Sequence, residues 1–399
     1  MEYVNSIKLK DIFLSNGNWW KLFLKRREFI RLWVILNVIK LLVCRTRILG
    51  CHIFKCPKCH HTLKVYHTCK SRFCPSCGKR ATDDWIKNSY NRLPNTTWQH
   101  ITFTMPDKLW NLFWENRYLM NLVPPIAANI ILDTAKKKGF LPGIFLAVHT
   151  FGRDLKRNFH IHLSTTLCGL SLSRDSWINK PAFFHHQSLK NIWRYKIILL
   201  LRNEFKKGNL KMPPELKHIK SFSTFNSWSA QFYNYSWVVF LNESSNNLKR
   251  NVEYLGKYIK RPPIGETRIK RFKNNLVSFE FLDHYTKSKN LKTIPALDFI
   301  SHLIDHIPNK YFRVIRYYGF LANRVRSKLL PIVFYALHFA KSFLIANVYT
   351  PYRNLIKSSF GFDPFICPNC SSTLKLSGRE PPLKGDLISL HKRIAVDFG

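Results

Sequence analysis

Apolar positions fall at helical spacing along residues 10–43, and the stretch 29–43 (FIRLWVILNVIKLLV) is almost continuously apolar. It carries Arg31, Asn37 and Lys40, and the second apolar stretch, 329–348, carries His338 and Lys341. Crossing a bilayer takes about 20 nearly charge-free residues, so both predict buried or amphipathic helices. Residues 81–93 predict a helix stopped at Leu93-Pro94. His100-Ile101-Thr102-Phe103-Thr104-Met105 predicts a strand ended by Pro106. Residues 108–138 are mostly helical, with an interruption expected at Pro124-Pro125. Two strands are then expected, 144–150 and 159–167, joined by the polar, hairpin-like connection 152–158. Strand 236–241 precedes a Ser/Asn-rich turn and a helix from about 246 to 260, which Pro262-Pro263 ends. Residues 295–347 again read as mainly helical, and no internal repeat or low-complexity tract is found.

A length of 399 residues allows two to four domains. The pattern divides into 1–98 (helices and a cysteine-rich module), 99–290 (the strands), a helical extension 291–360 and a tail 361–399. Charge changes the picture most: 64 Lys and Arg against 23 Asp and Glu give +41. Self-repulsion on that scale calls for a polyanionic partner. With 11 Trp and 31 Phe the chain is not a disordered basic tail. A folded, basic, aromatic-rich chain points first to nucleic acid and second to an anionic membrane surface. The start, MEYVNSIKLKD, leads into no secretory signal, so a cytosolic chain with reduced cysteines is expected.

Seven of the ten cysteines lie between 44 and 77, interleaved with His52, His60, His61 and His67. In a reducing compartment such a cluster points to zinc rather than disulfides. Each C-x2-C knuckle aims two thiolates at one tetrahedral ion, and Pro57 and Pro75 suit the tight turn. Cys56, Cys59, Cys74 and Cys77 form the expected first tetrad. Cys44, Cys69 and a nearby histidine are expected to build a second site, with Cys51 a bystander and Cys168 a buried apolar residue. The knuckle Cys367-Pro-Asn-Cys370 has no obvious partners; it binds zinc with ligands from elsewhere or closes a degenerate ribbon. Basic residues around the cysteines, Lys70 and Arg72 among them, are expected to contact duplex or hairpin DNA.

On strand 159–167, His160 and His162 share one face while Phe159, Ile161 and Leu163 take the other. Two imidazoles roughly 6–7 Å apart at Cα can converge on one ion, although ordinary sheet surfaces also carry H-x-H. The run Tyr254-Leu-Gly-Lys-Tyr258 places two tyrosines one turn apart. They border an apolar stripe (Leu248, Val252, Leu255, Ile259) and a basic side that includes Lys257, Lys260 and Arg261. A phenol there can meet a phosphate backbone, or simply point into water.

Zinc module, H-x-H strand and Y-x3-Y helix follow one another in a very basic chain. In this the sequence resembles the insertion-sequence ninety-one family of transposases, two-tyrosine enzymes of the HUH type related to rolling-circle replication initiators. The resemblance spans nearly the whole chain. It rests on Cys44-Arg-Thr, Thr68-Cys-Lys-Ser-Arg-Phe-Cys-Pro-Ser-Cys-Gly78, His100-Ile-Thr-Phe-Thr-Met-Pro106 and His149-Thr-Phe-Gly-Arg153. It continues through His160-Ile-His-Leu163, Tyr254-Leu-Gly-Lys-Tyr258 and Ile315-Arg-Tyr-Tyr-Gly-Phe-Leu-Ala322. Phe159 stands where the family usually has proline, which alters how the strand begins but not the ligands.

The resemblance implies an α+β fold with an antiparallel HUH endonuclease sheet over 99–290, an N-terminal zinc module and a helical C-terminal region. It implies that Mg²⁺ or Mn²⁺ on His160 and His162 acts on single-stranded DNA, with Tyr254 and Tyr258 as nucleophiles, Zn²⁺ in the cysteine module and no nucleotide cofactor. Two imidazoles are soft ligands for Mg²⁺, so a third ligand is expected, with His149 and Asp154 as candidates. A plasmid-type replication initiator shares the chemistry, and a zinc-dependent regulator shares the charge and the cysteines but leaves both motifs idle. A tyrosine recombinase fits poorly, because here the tyrosines follow strands.

Overall fold

The computed structural model describes residues 7–391 apart from 91, 182, 248–251, 254–255, 257–261, 284–285, 287, 338–350, 384, 386–388 and 390. Helices α1 (Leu9–Leu14), α2 (Asn18–Arg26) and α3 (Leu32–Leu42) open the chain, followed by the hairpin β1 (Cys51–Lys55) and β2 (Thr62–Tyr66) and then α4 (Pro75–Tyr90). Next come β3 (Trp98–Phe103), α5 (Trp110–Glu115), α6 (Leu119–Lys137), β4 (Phe140–Leu141), β5 (Gly143–Phe151) and β6 (Arg157–Thr166). After β7 (Gly169–Ser171) and β8 (Trp177–Ile178), helices α7 (His186–Lys206) and α8 (Phe222–Ala230) lead to β9 (Val239–Leu241). The remainder is β10 (Ile269–Lys273), β11 (Leu276–Leu282), β12 (Lys289–Pro295), α9 (Ala296–Asp305), β13 (Ile315–Gly319), α10 (Arg326–Ala336), α11 (Tyr352–Phe360) and β14 (Lys375–Glu380). Helices and antiparallel sheets are mixed, an α+β fold, and no described helix is long and apolar enough to cross a membrane.

The central sheet runs β13-β5-β6-β3-β9, antiparallel throughout. Strand alternation divides its residues cleanly. Ile101, Phe103, Ile144, Leu146, Val148, Phe159, Ile161 and Leu163 join one core with residues of α5, α6 and α7. The opposite face carries Phe145 and Ala147, which cluster with Trp85 of α4, Val252 and residues of α10. A third core joins α1–α3 to β10, β11 and α9 and includes Cys44, Cys74 and Cys77.

Three expectations about elements are corrected. The helix expected at 81–93 begins at Pro75, inside the second knuckle, and ends at Tyr90. Within 295–347, residues 315–319 form the edge strand β13 instead of helix, because they pair with β5 from Ile315↔Ala147 to Gly319↔Gly143. Helix α6 runs unbroken through Pro124 and Pro125. A proline at 125 leaves the Asn121 carbonyl without its helical donor, and Arg316 supplies one: its Nη1 donates to Asn121 O (3.0 Å) and its Nη2 to Asn121 Oδ1 (2.6 Å). The missing helical hydrogen bond is replaced from the neighbouring strand.

Candidate functional site

Two groups of four cysteines come together, and neither matches the tetrads expected from spacing. Cys44, Cys69, Cys74 and Cys77 form one; Cys56, Cys59, Cys367 and Cys370 form the other. The expected tetrad of Cys56 and Cys59 with Cys74 and Cys77 is therefore corrected, as is the histidine expected beside Cys44 and Cys69. His67 is instead bonded to Leu49 O (2.9 Å) and His52 Nδ1 (3.0 Å). Cys51 stays outside both groups, against Glu380 (3.4 Å).

Four sulfurs at about 2.3 Å from one tetrahedral zinc lie about 3.8 Å apart. In the first group Cys44–Cys77, Cys69–Cys77 and Cys74–Cys44 are each 3.7 Å. In the second, Cys56–Cys370 is 3.4 Å and Cys59–Cys367 is 3.5 Å. Backbone N–H groups of Cys69 and Ser71 donate to Cys44 and Cys69 sulfurs in the first group, and that of Cys59 donates to Cys56 in the second. Contact with Cys44 and its neighbours holds Cys77 far below the usual thiol range and Cys74 far above it. Four thiolates this close repel, and a central cation lets all of them ionise. The two knuckles of the second group are alike: the residue after each second cysteine, His60 (φ 58°) and Ser371 (φ 57°), is left-handed. Pairing of β14 with β1, from Cys51↔Glu380 to Lys55↔Lys375, carries the distant knuckle into place.

The third group lies on the central sheet. His160 and His162 of β6 stand on the face away from the α5–α7 core, as alternation requires, and His149 of β5 pairs with His160 across the hairpin. Their ligand nitrogens lie within 4.8 Å of one another. His149 was one of two candidates for a third ligand; the other, Asp154, is not in the cluster and pairs with Lys156 (3.6 Å) and Lys292 (4.0 Å).

Hydrogen bonds orient the rings. His160 Nδ1 donates to Asn158 O (2.9 Å), leaving a lone pair on Nε2. His162 Nδ1 lies 3.1 Å from His100 Nε2, and His100 Nδ1 lies 3.1 Å from Ser164 Oγ. This relay supports the tautomer in which His162 also turns a bare Nε2 outward, the usual device behind a metal-bound histidine. The two Nε2 atoms are 3.1 Å apart. Cis ligands at about 2.1 Å from an octahedral ion are separated by about 3 Å, so the pair fits one divalent ion. Burial, reinforced by His160 and His149, holds His162 well below the usual imidazole range, and burial alone lowers His100 to about 3. His162, a ligand of the cluster, and His100 behind it are thereby held neutral. The sequence assigns His100 no role beyond its strand and motif; its register opposite Ser164, two pairs from Thr102↔His162 and so on the same face, is what gives it this role.

Tyr254, Tyr258, Lys257, Lys260 and Arg261 lie outside the described residues. Between the tyrosines Gly256 is described, buried and helical, as is Val252. Val252 belongs to the cluster on the histidine-bearing face of the sheet. A Cβ on Gly256 would lie 2.4 Å from Ile86 Cδ1 of α4, so any larger residue here forces the Ile86 side chain to move. Gly256→Ala is expected to destabilise by about 1–3 kcal/mol through overpacking, despite the roughly 1 kcal/mol helix preference for alanine. A thermal-unfolding double-mutant cycle with Ile86→Ala should show favourable coupling of about 1 kcal/mol or more; strict additivity would contradict the contact. Of the other expected DNA contacts, Lys70 is exposed in a left-handed conformation (φ 53°) and Arg72 is only half-exposed.

Comparison with known proteins identifies the family. Residues 17–105 match the family described as "Transposase zinc-binding domain", and residues 143–328 match the one described as "Putative transposase". The chain is 37% identical over 369 residues to "Transposase for insertion sequence element IS801" of Pseudomonas savastanoi pv. phaseolicola, covering 92% of this chain and 88% of that protein. It is 28% identical over 295 residues to "Putative transposase y4qJ" of Sinorhizobium fredii (strain NBRC 101917 / NGR234), covering 72% and 74%. No solved structure matches the chain. With a zinc-binding module ahead of the histidine sheet and identity running almost end to end, the chain belongs to the insertion-sequence ninety-one family of transposases.

Proposed function

We propose that this transposase nicks and rejoins single-stranded DNA through 5′-phosphotyrosine intermediates, moving its insertion sequence by a rolling-circle-like route. The observation that carries this is the three-histidine cluster on the sheet face that also holds Val252, two residues before Tyr254. His149, His160 and His162 would hold Mg²⁺ or Mn²⁺, which would polarise the scissile phosphate and offset the charge that develops on it. A free phenol with a pKa near 10 is a poor nucleophile at neutral pH, so the attack needs that activation. Tyr254 or Tyr258 Oη forms the bond to phosphorus and the bond to the 3′-oxygen breaks; the phenolic proton leaves to solvent, and the departing 3′-oxygen takes a proton from solvent to become the 3′-hydroxyl. Energy is conserved in the phosphotyrosine link, so strand transfer needs no nucleotide cofactor. Two tyrosines allow one to hold a DNA end while the other cuts.

The cysteine groups hold Zn²⁺ and frame a basic module that places the element end, as hairpin or duplex, with Lys70 and Arg72 on the DNA side. Lys257, Lys260 and Arg261 add phosphate contacts beside the nucleophiles, where they position the strand without reading its sequence.

Labelled single-stranded oligonucleotides covering the element ends test the nucleophiles on denaturing gels. The native chain with Mn²⁺ should form a covalent adduct, and Tyr254→Phe/Tyr258→Phe should form none while still binding DNA. Each single replacement should retain one round of nicking and lose coupled strand transfer. An adduct persisting in the double variant would place the nucleophile elsewhere.

A further inference from the structure

A cavity of about 290 Å³ opens where α3, the segment 70–73 of the first cysteine group, the end of β5 and the segment 306–314 meet. Its size is at the lower end for small-molecule sites, which run from about 300 to 1,000 Å³, and suits a single unpaired nucleotide. Helix α3 presents Trp33, Asn37 and Lys40 to it, at the spacing of one helix face. Asn37 Oδ1 accepts from Ser71 Oγ (3.0 Å), which fixes α3 against the cysteine loop.

Two features give this cavity a chemistry. The first is Arg72. It lines the cavity together with two further cations, Lys40 and Lys70. Cations gathered at one opening favour an anion there, and a guanidinium matches phosphate through parallel N–H donors. The second is the aromatic lining: Trp33, Phe151, Tyr311 and Phe312. Tyr311 is 85% exposed with a left-handed backbone (φ 64°), a large ring held open to solvent. Aromatic faces stack single-stranded bases at about 1–3 kcal/mol each.

The location is equally specific. Phe151 stacks on His149, ring centroids 5.4 Å apart and planes at 21°, while lining the cavity itself. One aromatic ring therefore separates the cavity from the histidine cluster. Pro262 and Pro263, which follow Tyr258 closely in sequence, also line it.

We propose that this cavity captures one unpaired nucleotide beside the scissile phosphate, its phosphate meeting Arg72 and its base stacking on the aromatic lining. The capture rests on single-stranded DNA being the substrate. It makes α3 and the cysteine loop part of the cleavage site, and it favours unpaired over duplex DNA where cutting occurs.

The probe is an oligodeoxythymidylate with one thymidine replaced by 5-iododeoxyuridine, irradiated with the full-length protein without added Mg²⁺ or Mn²⁺ and mapped by mass spectrometry. Crosslinks should fall on Trp33, Phe151, Tyr311 or Phe312 and disappear when the oligonucleotide is annealed to its complement. Arg72→Gln should weaken binding at fixed salt by at least about tenfold, the scale of a lost charge-assisted hydrogen bond, with zinc content unchanged. Should Arg72→Gln lose zinc, Tyr311→Ala at the exposed rim carries the test and should lower the crosslink yield severalfold. Crosslinks confined to other segments, or yields untouched by Tyr311→Ala, would overturn the capture site. Crosslinking here by a native chain that forms no covalent adduct with Mn²⁺ would uphold this site and refute the nicking reaction, so the two failures are distinguishable.

Discussion

Alanine at both His160 and His162 is expected to leave single-stranded DNA bound and uncut. Phosphate contacts elsewhere on a chain of charge +41 supply affinity, whereas the two Nε2 atoms 3.1 Å apart are where the proposed ion would meet the scissile phosphate. Losing a preorganised stabiliser of developing charge costs about 10²–10³ in rate, and losing both ligands should exceed that. The strand itself should survive, because Phe159, Ile161 and Leu163 on its other face remain fully buried. His100→Ala grades the effect. His100 meets His162 at its far nitrogen, Nδ1, and removing such an outer partner costs about 10–100-fold in metal affinity or activity. Raising Mn²⁺ should therefore rescue His100→Ala and not the double variant. Nicking by His160→Ala/His162→Ala at the native rate without added Mg²⁺ or Mn²⁺ would sink the metal-assisted mechanism.

The second large effect concerns zinc. The purified chain is expected to carry two zinc ions, and replacing one cysteine from each group should separate them. Cys74→Ser should lose one ion and much of the fold, because Cys44, Cys74 and Cys77 belong to the same core as α1–α3 and α9. A structural zinc contributes about 10–16 kcal/mol of apparent binding free energy. Even a fraction of that, at roughly 2–4 °C per kcal/mol, lowers Tm by more than about 10 °C. Cys367→Ser should also lose one ion, but its core is small, joining Cys56, Cys367 and Leu374. The expected consequence is release of β14 from β1 with the histidine sheet intact, seen as local proteolysis after the last helix. Zinc analysis giving one ion in the native chain, or Cys367→Ser retaining two, would contradict the pairing of the chain's two ends.

The same residues show what the sequence could decide alone. Strand alternation placed His160 and His162 on one face and three apolar residues on the other, since period two follows from backbone geometry. Cysteine density and net charge pointed to a zinc module and a polyanionic partner, which the family match upholds as a zinc-binding domain and a transposase. Which knuckles share an ion was beyond the sequence. Every C-x2-C knuckle offers the same two thiolates, so spacing along the chain cannot rank partners. The fold chose Cys367 and Cys370, 308 residues from Cys59 at its closest contact, because β14 returns to pair with β1. His149 joined His160 and His162 through the register of the β5–β6 hairpin, and His100 reached His162 only by lying on the adjacent strand. Pro124 and Pro125 were legible as helix breakers, and Arg316 from a distant strand cancelled the signal. Local periodicity and covalent spacing are properties of neighbouring residues and can be read in order; ligand sets and satisfied carbonyls are long-range pairings, fixed only when the strands find their registers.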